Sequence, residues 1–164
     1  MKRSSPGRSS KRISVLGVDP GTRTAGIVAL DGAGRLLFRN RIVLRGEDPN
    51  RRLAALYRSV DRALARSKAA ILAIENPSHP RNAKTAHLLG RAAGVCALAA
   101  SLRDLIVLEF RPSQLRAAER NLAGRFSRCR GWSPDEVSAA CAAMLALQEL
   151  HLHLRLPSSP QNAP

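Results

Sequence analysis

A carboxylate that closes an apolar strand calls for a partner. Asp19 ends the β-branched run from Ile13, is followed by a Pro20-Gly21 break, and precedes a second strand pattern that closes at Asp31, Gly32 and Gly34. An unpaired charge in that setting is costly, and a metal ion is a common remedy. The plain alternative is an Asp-Pro-Gly turn whose carboxylate accepts from backbone amides two residues on. Glu75 weighs against that alternative, because it ends another apolar strand, Ala69–Ile74. Two such strands side by side would bring like charges together, a conflict that one divalent cation or two would resolve.

The elements that must hold these acids follow from periodicity. Strands are expected over about 12–19, 24–31 and 35–44, forming an antiparallel meander. Leu53, Leu56, Tyr57, Val60, Ala63 and Leu64 then recur at helical spacing before the strand that ends at Glu75. A polar loop leads into a long Ala-rich helix over 82–102, and Leu105–Phe110 is a short strand. Pro112 and Ser113 open another helix, 123–132 is a basic loop, and the last helix starts at Ser133. That helix turns Val137, Ala140, Cys141, Met144, Leu145, Leu147 and Leu150 inward. Residues 1–11 are expected to be a basic flexible arm, 12–155 one domain and 156–164 a disordered tail.

Composition narrows the partners. The chain has 164 residues, enough for one core, and 27 Lys and Arg against 12 Asp and Glu give a net charge of +15, which attracts polyanions such as nucleic acid. No apolar run approaches the roughly 18 residues of a membrane span, and the basic start lacks a signal-peptide apolar region. A soluble, cytoplasmic protein without a membrane partner is expected. Cys96, Cys129 and Cys141 are far apart and form no Cys-x-x-Cys pair, which suits reduced thiols rather than zinc. His151 and His153, two apart on a helix, point to different faces.

Acids on the first and fourth strands, in the order β-β-β-α-β-α-β-α, resemble the α/β ribonuclease H-like fold, a five-stranded mixed sheet flanked by helices. The local match is closest to the RuvC family of Holliday-junction resolvases. Leu16-Gly-Val-Asp-Pro-Gly-Thr-Arg-Thr-Ala-Gly26 resembles that family's first motif and Ala73-Ile-Glu75 its second. Asn82-Ala-x-x-Ala86, Leu89-Gly90, Ala92-x-Gly94 and Leu108-Glu-Phe-x-Pro112 continue the pattern.

The resemblance implies further acids at the start of the last helix, as Asp-x-x-Asp. Here that stretch is Asp135-Glu-Val-Ser138, so the first acid is kept and Ser138 replaces the second. Ser133-Pro-Asp-Glu136 is also a capping box with Pro at the first helical position, which stabilises a helix without any chemistry. Glu136 is the substitute ligand on the same turn. An alternative alignment puts the motif in 156–162, where both acids would be lost and the protein would not cleave. With Asp19, Glu75 and Asp135 as catalytic and metal ligands, two magnesium ions about 3.5–4 Å apart would activate water and stabilise the leaving oxygen, and manganese would substitute.

The resemblance implies a 5′-phosphate and a 3′-hydroxyl as products, from paired nicks across a four-way or other branched DNA junction made by a homodimer. Among the many basic residues, Arg51 and Arg52 included, Arg81, Lys84, Arg111 and Arg116 are the expected nucleic-acid contacts because they lie near the acids. The family places a stacking aromatic after the second acid; here that position is Ser78, and Phe126 and Trp132 are the substitutes, or else core anchors. Three other readings compete. The Asp-x-Gly-Thr string resembles the phosphate loop of sugar kinases and actin-like ATPases, which need two domains. YqgF-type nucleases acting on RNA resemble the last helix but not the segments around Glu75 and Asn82. A DNA-binding module with a defective site would follow from Ser138.

Overall fold

The computed structural model describes residues 13–76, 82–126 and 131–155. The basic arm, the tail with its alternative motif, Ser78, Arg81 and Cys129 lie outside them. Five strands and four helices follow one another: β1 (Ser14–Asp19), β2 (Thr24–Asp31), β3 (Leu36–Val43), α1 (Pro49–Ser67), β4 (Ile71–Glu75), α2 (Ala83–Ser101), β5 (Ile106–Phe110), α3 (Pro112–Phe126) and α4 (Pro134–Arg155). All four helices stand where they are expected, although the expected order β-β-β-α-β-α-β-α carried only three. The helix opened by Pro112 runs to Phe126, well into the stretch expected to be a basic loop, and stands as an element of its own before α4.

The sheet order is β3-β2-β1-β4-β5. β1, β2 and β3 form the expected antiparallel meander, while β4 and β5 run parallel to β1. Central β1 is buried along almost its whole length, as an apolar strand covered on both faces must be, whereas edge strand β3 is exposed except at half-buried Phe38 and Ile42.

Alternation along the strands divides the core in two. Leu16 and Val18 of β1, Ala25 and Ile27 of β2, and Leu72 and Ile74 of β4 face α1 and α2. Val15, Val28, Ile71 and Ala73 face the other way, toward Ala139, Ala140, Ala143 and Leu147 of α4. Full burial of a side chain such as Leu16 or Ile74 contributes about 1.5–3 kcal/mol over leaving it exposed.

The helix ends follow their sequence signals. Asp48 caps α1 by accepting from the Asn50 amide at 2.9 Å, and Asn82 caps α2 by accepting from the Thr85 amide at 2.8 Å. Arg52 is no surface cation. It is buried and donates to the carbonyls of Thr22, Gly46 and Glu47 at 2.7–3.0 Å, clamping the turn after β1 to the loop after β3. Cys96 and Cys141 are buried free thiols, and burial first, then the charge of Asp19, pushes Cys96 up to about 12, where it is unreactive.

Candidate active site

Glu75 and Asp19 meet because of register. β1 and β4 pair with Val18 opposite Ile74, so the next residues, Asp19 and Glu75, end neighbouring parallel strands side by side. Period-2 alternation turns both toward α4, since Asp19 shares a face with Val15 and Gly17, and Glu75 with Ile71 and Ala73.

Two glycines let α4 come down onto these strand ends. A Cβ on Gly17 would sit 1.9 Å from the Ala139 carbonyl oxygen, and one on Gly26 would sit 2.0 Å from that of Asp135. Helix backbone cannot yield to such contacts, so only glycine permits the approach. The first two turns of α4 therefore rest on β1 and β2, and they carry Asp135 and Ser138 to the acids. The Ser138 hydroxyl donates to Glu75 Oε2 at 3.4 Å, and its polarity also favours the charged form of the Asp19 carboxyl.

Electrostatics register the crowding. Burial, then the charges of Glu75 and Asp135, pushes the Asp19 carboxyl up to about 7, with the Ser138 hydroxyl opposing. Burial also raises Glu75, against the Ser138 hydrogen bond and the positive charge of Arg116. The donors are all hard oxygens whose mutual repulsion a divalent cation would relieve, so the set suits magnesium or manganese. Among the described residues, no three Asp, Glu, His or Cys side chains close round a single point, and Asp135 is engaged by Arg41 at 3.3 Å.

Glu136 is otherwise employed. Its Oε2 accepts from the Ser133 amide at 2.8 Å and the Ser133 hydroxyl at 2.9 Å, the Glu136 amide donates back to Ser133, and Oε1 pairs with Arg39 at 2.7 Å. Burial alone would raise this carboxyl, yet the Ser133 amide and Arg39 hold it below the usual carboxylate range. It completes the capping box, with Oε2 taken by two donors of Ser133 and Oε1 by the Arg39 guanidinium.

Arg39 and Arg41 were not singled out by sequence reading. Their alternation on β3 was the available signal, because Arg41 pairs with Gly26 and Arg39 with Val28, placing both on the α4 face. Arg39 also lies 5.0 Å from the centre of the Trp132 ring, and Trp132 packs against the α4 side of the core, which is the anchor reading of that aromatic. Of the basic residues expected near the acids, Arg116 stands where Glu75 feels its charge. Arg111 is exposed and directly follows Phe110, the β5 partner of Glu75. Lys84 is exposed on the first turn of α2.

Comparison with known proteins decides the family. The model of the crossover junction endodeoxyribonuclease RuvC family matches residues 15–125. The chain belongs to the RuvC family. It is 35% identical to the RuvC of Moorella thermoacetica over 139 residues, covering 82% of this chain and 79% of that relative. With the RuvC of Oleidesulfovibrio alaskensis it shares 28% over 162 residues, or 90% and 95% of the two chains.

The fold agrees. Thermus thermophilus RuvC, solved in complex with a Holliday junction substrate, superposes with a TM-score of 0.74 at 19% identity, over 87% of this chain and 96% of that one. The yeast mitochondrial Holliday junction resolvase Ydc2 gives 0.58 at 9% identity, over 85% of this chain and 82% of its own. The sheet is thus the expected ribonuclease H-like one. The RuvC family match contains Asp19 and Glu75 and ends before α4, which carries Asp135 and Ser138.

Proposed function

We propose that this chain is a metal-dependent, structure-selective endonuclease that hydrolyses phosphodiesters at four-way DNA junctions. The observation that supports this most is the meeting of Asp19 and Glu75 on adjacent strand ends beneath Asp135, in a chain of the RuvC family. Asp19, Glu75 and Asp135 would hold magnesium, with manganese as a substitute. When bound, the metal supplies activation of water and charge neutralisation at the attacked phosphorus.

The chain's own residues do the rest. Burial of Asp19 makes its carboxylate a strong competitor for a cation over water, and Ser138 steadies Glu75 and Asp19 through its hydroxyl. Arg116 and Arg111 flank the Glu75 side and would take scissile-strand phosphates, with Lys84 as a further contact. The products are a 5′-phosphate and a 3′-hydroxyl. Paired cuts need two active sites, so the working form is a homodimer acting in the cytoplasm. Among the described residues no helix is long and apolar enough to cross a membrane.

Ser138 favours a second reading, a junction-binding protein with impaired cleavage, because a hydroxyl stands where the RuvC pattern has an acid. One experiment separates the two. The full chain is incubated with a labelled four-way junction and with linear duplex, in magnesium and in EDTA. Magnesium-dependent cuts in the junction alone support the nuclease. Retarded junction without cuts, at any magnesium or manganese concentration, supports the binding protein.

A further inference from the structure

The face of the sheet turned away from the acids has a groove of its own. It lies between edge strand β3 and α1, has a volume of about 450 Å³, and is floored by Ile27, Phe38 and Ala63, with Arg62 and Arg66 along its α1 wall. Arg66 lies 4.5 Å from the centre of the Phe38 ring, and Arg62 reaches the Ser59 hydroxyl at 3.4 Å. Neither forms an ion pair among the described residues, and no acid lines the groove.

The strand beside it is open. Among the described residues β3 pairs only with β2, so its outer edge offers a row of unpaired amides and carbonyls. Leu37 and Val43 of this strand are 48% and 55% exposed, a high value for large apolar side chains. Val43 shares the α4 side of β3 with Arg39 and Arg41, Leu37 stands unpaired at a bulge where Leu36 and Phe38 pair with the consecutive residues Leu30 and Ala29, and Phe38 and Ile42 turn toward α1.

We propose that β3 receives an extended acidic segment of another protein as a sixth strand. Its main chain would complete the ladder. Acidic side chains at alternate positions would drop onto Arg62 and Arg66, and the intervening apolar ones would cover Val43. A second copy of this chain is a poor occupant, because Arg39 and Arg41 would meet their own kind across the new pair. Duplex DNA would satisfy the arginines but has no use for a strand edge or for exposed Leu37 and Val43.

Fluorescence anisotropy of the full chain with a labelled Thr-Glu-Val-Glu-Val-Glu-Thr peptide tests this. The expected result is micromolar binding that a Lys-for-Glu peptide and a peptide N-methylated at alternate amides both lose. The doubly substituted R62E/R66E chain, with an unchanged melting temperature, should bind the acidic peptide about tenfold more weakly or worse. Its junction cleavage and junction affinity should be unaltered, since neither arginine is near the acids. No binding of the acidic peptide, or equal binding by the N-methylated peptide or by R62E/R66E, overturns the proposal. So does a tenfold loss of duplex or junction affinity in R62E/R66E, which would make the groove a nucleic-acid contact instead.

Discussion

The two halves of the acidic site are held by different means. Asp19 and Glu75 sit on paired strands, where backbone hydrogen bonds fix the register and alternation fixes the face. Asp135 and Ser138 sit on a helix that is pressed onto the strands at Gly17 and Gly26 and tied to them by side-chain bonds to Glu75, Arg39 and Arg41. A strand-borne group is positioned by the ladder whatever its chemistry, while a helix-borne group depends on how closely two backbones can approach. The strand half retains both acids of its motifs. In the helix half Ser138 stands where the resemblance implies an acid, and its hydroxyl reaches Glu75.

If the strand half holds the metal, Asp19→Asn should lower junction cleavage about a thousandfold or more, roughly 4 kcal/mol in barrier, while gel-shift affinity changes little. Equal loss of binding and cleavage would make Asp19 structural. The next largest effect belongs to the contact that seats the helix. Gly26→Ala would drive a methyl into the Asp135 carbonyl and should cost about 3 kcal/mol, read by urea unfolding, because neither the central sheet nor the helix backbone can move aside cheaply. A loss below about 0.5 kcal/mol would mean that α4 is not pressed on the sheet.

Acidity gives a third separation. Asp19 is raised to about 7 in the folded chain and titrates near its ordinary value when unfolded, so the folded state keeps a proton that the unfolded state releases between those values. Stability in EDTA should therefore fall by about 2–3 kcal/mol as the pH rises from about 5 to 8, and Asp19→Asn should remove most of that slope. Glu75, also raised, adds in the same direction. A pH-independent melting temperature would contradict the burial of Asp19.

The helix half should respond more gently. Ser138→Asp adds a carboxylate beside Glu75 and should lower the magnesium needed for half-maximal cleavage about tenfold, with calorimetry reporting tighter binding. Unchanged magnesium dependence would take position 138 out of the site. Glu136→Gln should cost about 1–2 kcal/mol in stability, since it weakens the Arg39 pair and the cap, and leave cleavage intact. A large loss of cleavage at unchanged stability would return Glu136 to the metal.

Much of this was legible in the sequence because strand patterns are local. The meander, the placement of Asp19 and Glu75 at strand ends, and the cap at Ser133 with Pro134 all read directly from short spacings. What escaped was long-range. Arg41 finds Asp135 across 94 positions and Arg39 finds Glu136 across 97, distances at which periodicity carries no information. Arg52 looked like one surface cation among many, and only the loops folding over it turn it into a clamp. The extension of α3 to Phe126 was hidden by a Gly and Arg-rich stretch that reads as a loop.

The seating of α4 on bare backbone has one more consequence. Because Gly17 and Gly26 set how closely the α4 backbone approaches the sheet, the place of residue 138 is fixed by contacts that do not involve its own side chain. A substitution at position 138 therefore alters the ionic content of the pocket and leaves its dimensions as they are. A carboxylate introduced there would enter walls already standing, so the charge of the site is adjustable by a change at a single residue.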